Sequence, residues 1–126
     1  MKEKIICKLF IFYVLLIGCT SCVLNYAPKN GSICLRNESE NNELYIQEVY
    51  VKEKENNGFE RIWSGNLVAG SSEFITVDEG SYSVKIVVSR FGFLYELNTG
   101  YNIYKKVCNG DCVYVCFDGN GIFFEE

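Results

Sequence analysis

The chain has 126 residues, of which 48% are hydrophobic, 15% aromatic and 22% charged, so it can bury one core and is too short for two. It contains no histidine, which excludes His-based triads, His-ligated metal sites and imidazole proton shuttles. A net charge of −4 argues against nucleic acid as a partner.

The N-terminus carries Lys2, Lys4 and Lys8, then an apolar run from Leu9 to Ile17, then Gly18 and Cys19. This is the layout of an export signal, with a basic region, a short apolar region and a small residue before the cut. Weakly apolar sequence continues to Leu24, giving 16 residues from Leu9. A spanning helix needs about 20, so a transmembrane anchor is the poorer reading.

The run Leu16-Ile17-Gly18-Cys19 resembles the lipobox of bacterial lipoproteins. The resemblance implies that residues 1–18 are a signal peptide and that Cys19 becomes the lipidated N-terminus, with a diacylglyceryl thioether and an amide-linked chain such as palmitate. Each buried methylene contributes about 0.8 kcal/mol, so two or three chains hold the protein on a membrane without spanning it. Cys22 is the weaker candidate, because Cys19-Thr20-Ser21 before it lacks the aliphatic residue of the motif. Thr20 stands where inner-membrane retention favours Asp, so the expected location is the cell envelope, at the outer membrane or cell surface. Cleavage would leave nine basic and fifteen acidic side chains, a net charge of −6. Such a domain is repelled by anionic headgroups, and the membrane is held through the acyl chains on Cys19 alone.

Residues 19–31, with Asn25, Pro28, Asn30 and Gly31, show no sustained period and are expected to be a lipidated tether; residues 32–126 form the domain. From there the chain breaks into short alternating runs: Ser32 to Asn37, Leu44 to Lys52, Phe59 to Trp63, Glu73 to Val77, Tyr82 to Arg90, Phe93 to Leu97, Asn102 to Cys108, Cys112 to Phe117 and Ile122 to Phe124. Gly, Asn, Ser and Asp punctuate them. Tyr82, Val84, Ile86 and Val88 alternate with Ser83, Lys85, Val87 and Ser89, giving one buried and one wetter face. The expected fold is all-β, a single antiparallel β-sandwich of about seven to nine strands following the signal peptide.

Leu67-Val68-Ala69-Gly70-Ser71-Ser72-Glu73-Phe74 followed by Glu79-Gly80-Ser81-Tyr82-Ser83-Val84 is similar to small immunoglobulin-like or transthyretin-like sandwich modules of exported bacterial proteins. The resemblance covers about 25 residues. It implies that Gly70 ends a strand, that the aromatic Phe74 enters the core and that Tyr82 packs inward at the start of the next strand. Ala69 stands where such modules often have Pro, and no catalytic residues travel with the motif.

Without Cys7 and Cys19, five cysteines remain: Cys22, Cys34, Cys108, Cys112 and Cys116. In an exported chain they suggest disulfides. Cys112 and Cys116 are four apart on one strand and share a face without reaching each other. If Asn109-Gly110-Asp111 is a three-residue hairpin loop, Cys108 lies opposite Cys112. Two bridges among five cysteines allow about 15 pairings, and the sequence does not choose among them; the working expectation is Cys108 with Cys112 and Cys34 with Cys116, leaving Cys22 over, the longer loop being worth roughly 4.5 kcal/mol against about 2 for the short one. The spacing of Cys108, Cys112 and Cys116 matches neither zinc modules nor iron-sulfur sites, so no metal and no cofactor are expected.

Asp118-Gly119-Asn120-Gly121 lacks the further oxygen ligands of a calcium loop and reads as a turn. Carboxylate pairs such as Asp78 with Glu79 are adjacent, with no sign of converging across a cleft. The surplus is in aromatic side chains: Tyr45, Tyr50, Tyr95, Tyr101, Tyr104 and Tyr114 exceed what a small sandwich obviously buries, and tyrosine is prominent at binding surfaces. Alternation places the expected binding face around Tyr104 and Tyr114, with Lys105 or Lys106 beside them. The resulting expectation is a non-catalytic, lipid-anchored protein that binds or scaffolds another envelope or surface component. The alternative is an acidic inhibitor of a cationic enzyme such as lysozyme, which charge steering would favour.

Overall fold

The computed structural model describes residues 30–125. Nine strands follow in chain order: β1 (Asn30–Asn37), β2 (Leu44–Glu53), β3 (Glu60–Leu67), β4 (Ser72–Asp78), β5 (Gly80–Arg90), β6 (Phe93–Asn98), β7 (Lys105–Val107), β8 (Cys112–Phe117) and β9 (Ile122–Phe124). They form two packed sheets. The first has the order β4-β1-β8-β9; the second has β3-β2-β5-β6, with β7 continuing the β6 side of β5. Asn30 and Gly31, expected in the tether, are the first residues of β1.

The period-two pattern becomes a dry interior. Ile33 and Leu35 of β1 with Val113, Val115 and Phe117 of β8 face Ile46, Val49 and Val51 of β2 and Val84, Ile86 and Val88 of β5. All are buried, and the alternate residues of each strand point outward. One pairing departs from the antiparallel expectation: β1 and β8 run parallel, with Ile33 opposite Val113 and Leu35 opposite Val115. Both strands carry apolar side chains on the core face, and a long excursion through the second sheet separates them in sequence, as a parallel connection requires.

Tyr82 packs inward as expected, and its hydroxyl donates to the Asp78 carbonyl at 2.7 Å. Gly70 occupies the β3–β4 turn with φ 87°. Phe74, expected in the core, instead points out of β4 and is 63% exposed. The register explains this: Ile75 and Val77 take the inward positions, and Phe74 between them must face away.

At the far end of β1, Asn37 is buried and its side chain ties three strands. Its amide nitrogen donates to the carbonyls of Leu44 at 3.0 Å and Leu67 at 2.9 Å, while its Oδ1 accepts from the Ser39 N–H at 3.1 Å. The sandwich is thus closed at this end by a polar bracket set in an apolar surround.

Candidate binding cleft

Beyond β6 the chain rises as a loop, Thr99 to Tyr104, over the outward face of the second sheet. Asn98 starts the turn by accepting from the Gly100 N–H at 2.9 Å. Thr99 fastens its base to β5: its N–H donates to the Val84 carbonyl at 2.9 Å, and its hydroxyl accepts from the Val84 N–H at 3.1 Å. Gly100 has φ 122°, and a Cβ there would stand 2.8 Å from Ile103 Cγ1. Asn102 adopts φ 61°, a conformation asparagine tolerates better than most side chains.

Under this loop lies an open cleft of about 410 Å³, lined by Lys52, Asn57, Phe59, Ser83, Asn98, Gly100, Tyr101, Asn102 and Tyr104. Lys52 donates from Nζ to the Tyr104 hydroxyl at 2.8 Å. The same nitrogen is 5.2 Å from the ring centroid, which sets it beyond the hydroxyl rather than over the ring face. Tyr101 is 91% exposed, its ring presented to solvent at the crest of the loop. Aromatic faces, three amide side chains and one ammonium group can give stacking and neutral hydrogen bonds. They provide no paired acid and base.

A charged ladder flanks the cleft on the same sheet. Lys85 Nζ lies 4.6 Å above the Tyr50 ring and 5.0 Å from the Phe59 centroid, and it approaches Glu96 at 3.7 Å. Tyr50 donates to Glu48 at 2.7 Å, and Arg61 reaches Glu48 at 3.4 Å. The hydrogen bond to the Glu48 carboxylate, followed by burial, holds the Tyr50 phenol above its ordinary range.

The structure separates the expected binding face. Tyr104 borders the cleft, and Lys106 of β7, opposite Ser81 of β5, is on the same outward side; Lys105 alternates to the other. Tyr114 belongs to β8 in the other sheet and faces the opposite side of the sandwich, beneath Arg36, whose guanidinium carbon is 4.3 Å from the ring centroid. Arg36 also pairs with Glu125 at 2.9 Å and Glu38 at 3.4 Å. Tyr104 and Tyr114 therefore lie on opposite faces of the sandwich. Lys52, Asn57 and Phe59 escaped the sequence reading; for Lys52 the signal was present, since Glu48, Tyr50 and Lys52 share the polar side of β2.

Cys34, Cys108, Cys112 and Cys116 are all free thiols. The expected Cys108 to Cys112 bridge fails because β7 pairs with β5, so the Asn109-Gly110-Asp111 turn joins two sheets instead of closing a hairpin. The Cys34 to Cys116 bridge fails on register: Cys34 stands opposite Tyr114, and Cys116 opposite Arg36. Cys19 and Cys22 lie outside the described residues. Among those described, no group of three or more Cys, Asp or Glu side chains is placed to hold a metal ion. Asp118 accepts from the N–H groups of Asn120 and Gly121 at 2.8 and 2.9 Å, as a turn cap should. Those bonds hold its carboxyl below the usual range.

Burial, reinforced by Glu38 and Glu125, pushes the Cys116 thiol up to about 12, and burial also raises Cys34 and Tyr82. Each is an acid harder to ionise in the folded chain than in the unfolded one. Their contribution is complete below the ordinary thiol value of 9.0 and is lost as pH rises towards the folded value. Thermal melts from pH 7 to 11 are expected to be flat up to about pH 8.5 and then to fall, with Cys116 alone costing on the order of 1 kcal/mol per pH unit. A Cys116→Ser variant should show a shallower fall.

No family model, curated protein or solved structure matches the chain.

Proposed function

We propose that the chain is an exported, non-catalytic binding protein, held on a membrane by acyl groups on Cys19 and carrying a β-sandwich that binds an envelope or surface component through the cleft beneath the Thr99 to Tyr104 loop. The observation that carries the binding part is the exposed Tyr101 ring held over a cleft of aromatic and amide side chains by a loop anchored to β5. Such a surface buys affinity from rigid rings with few rotatable bonds. The location rests on Leu16-Ile17-Gly18-Cys19.

One strain set tests both parts. In an exporting bacterial host, the full chain should take up an alkyne palmitate label and sediment with membranes; Cys19→Ala should lose both, and Cys22→Ala neither. Labelling that survives Cys19→Ala would reject the anchor. A photoreactive residue in place of Tyr101 should yield a discrete crosslinked product, whereas one in place of Val68 on the β3–β4 turn should not. The inhibitor reading is favoured by a different opening, between β3 and β4, where Glu53, Glu60 and Asp78 line a space of about 400 Å³. Crosslinking of a lysozyme from position 60 and of nothing from position 101 would replace the proposal with that reading.

A further inference from the structure

Sheet edges carry unpaired backbone groups, and proteins usually blunt them with charge, proline, bulges or brevity. Three edges here follow that rule. β3 begins Glu60-Arg61 and pairs irregularly with β2, with register shifts along it. β4 carries Glu73 and Asp78, and β9 has three residues. β6 does not follow it. Phe93-Leu94-Tyr95-Glu96-Leu97-Asn98 has no Lys and no Pro, and its one charge is turned to Lys85. Phe93 is 78% exposed, Leu94 63% and Tyr95 37%.

The register states what this edge offers. Phe93, Tyr95 and Leu97 stand opposite Arg90, Val88 and Ile86, and Thr99 donates to the carbonyl of Val84, the next pair in the same alternation. In an antiparallel ladder, the odd-numbered residues of β6 therefore spend their backbone groups on β5, and the N–H and C=O of Leu94, Glu96 and Asn98 point to the free side. The side chains of Phe93, Tyr95 and Leu97 turn towards the core layer, and those of Leu94 and Glu96 turn away from it.

We propose that β6 is a self-association edge, pairing antiparallel with β6 of a second copy about a two-fold axis at Tyr95. That register sets Phe93 against Leu97 of the other copy, Tyr95 against Tyr95 and Leu94 against Glu96. Apolar side chains then meet on the inward face of one continuous sheet, and the free backbone groups of Leu94 and Glu96 bond each other. Other registers are poorer. An axis at Glu96 opposes two carboxylates, which is destabilising. An axis at Leu94 drives half of the strand into the partner's β5–β6 turn. An axis between residues sets the inward face of one copy against the outward face of the other. The pattern is complementary to itself, which a closed two-fold interface requires and a foreign strand does not.

The test uses two differently tagged full-length copies, coexpressed and recovered in detergent. Wild-type copies should copurify. Tyr95→Lys in both should reduce recovery at least tenfold, because two ammonium groups would face each other at the axis, and pairing Tyr95→Lys with Tyr95→Glu should restore it. Failure of wild-type copies to copurify, or equal recovery of the Lys–Lys and Lys–Glu combinations, would overturn the proposal. If charge at this position prevents folding, Tyr95→Cys decides the matter. A non-hydrogen-bonded pair brings its side chains closest, so with Cys108 and Cys112 replaced by serine, mild oxidation should give a covalent dimer that the same chain retaining Tyr95 does not give. Persistence of only the monomer would count against the edge.

Discussion

Replacing Asn37 with leucine is expected to lower the stability of the domain by about 3 kcal/mol, although the two side chains have the same branching of heavy atoms. The side chain sits at 1% exposure and satisfies two carbonyls and one N–H. Leucine would leave the carbonyls of Leu44 and Leu67 and the Ser39 N–H without this partner, and each orphaned buried group costs roughly 1–3 kcal/mol. For a domain of this size the midpoint of thermal unfolding should fall by roughly 12–24 °C. Asn37→Asp keeps the shape but turns acceptors towards the two carbonyls, and it should be no better at neutral pH. A leucine variant melting within a few degrees of the wild type would show that the bracket does not hold β1, β2 and β3 together.

Gly31→Ala is expected to cost about 2–3 kcal/mol, at the upper end for an added methyl in a filled space. The backbone conformation is not at issue, since Gly31 lies in a regular strand opposite Val77. The cause is room. A Cβ at this position would come within 2.6 Å of Val107 Cγ1, 2.7 Å of the Cys108 carbonyl oxygen and 2.9 Å of the Asp111 carbonyl oxygen. Two of those three atoms are backbone, each held by a hydrogen bond: the Asp111 carbonyl accepts from the Ser32 N–H at 2.8 Å, and the Cys108 carbonyl accepts from the Asp111 N–H at 3.0 Å. Gly58→Ala, where nothing lies within 4 Å, is the matched control and should melt with the wild type. Equal midpoints for the two alanine variants would reject the steric account.

The strands were legible because alternation is local: Tyr82 to Val88 announces its own buried face without reference to any other segment. The turns were legible for the same reason. What the sequence does not carry is which strands become neighbours. The parallel pairing of β1 with β8 in one sheet, and the antiparallel pairing of β7 with β5 in the other, decide that Cys108 and Cys112 do not face each other and that Tyr104 and Tyr114 look in opposite directions. Phe74 shows a subtler limit. The motif around it suggested a core aromatic, yet a shift of one residue in a period of two turns a side chain from inside to outside. The cleft was half visible. Tyr101 and Tyr104 stood out as surplus rings, whereas Asn57 and Phe59 reach the site from another loop.

The parallel pair also governs when the fold can be completed. β1 lies between β4 and β8, and its partners on one side are residues 112–117, more than 70 positions downstream. Pairings of such high sequence separation close slowly, because a long loop must be organised before the contact forms. Until β8 emerges, β1 presents an open edge and half of the core lacks its cover. On the export route proposed above, such a delay would be an advantage, since it would leave the chain threadable until its last strands arrive.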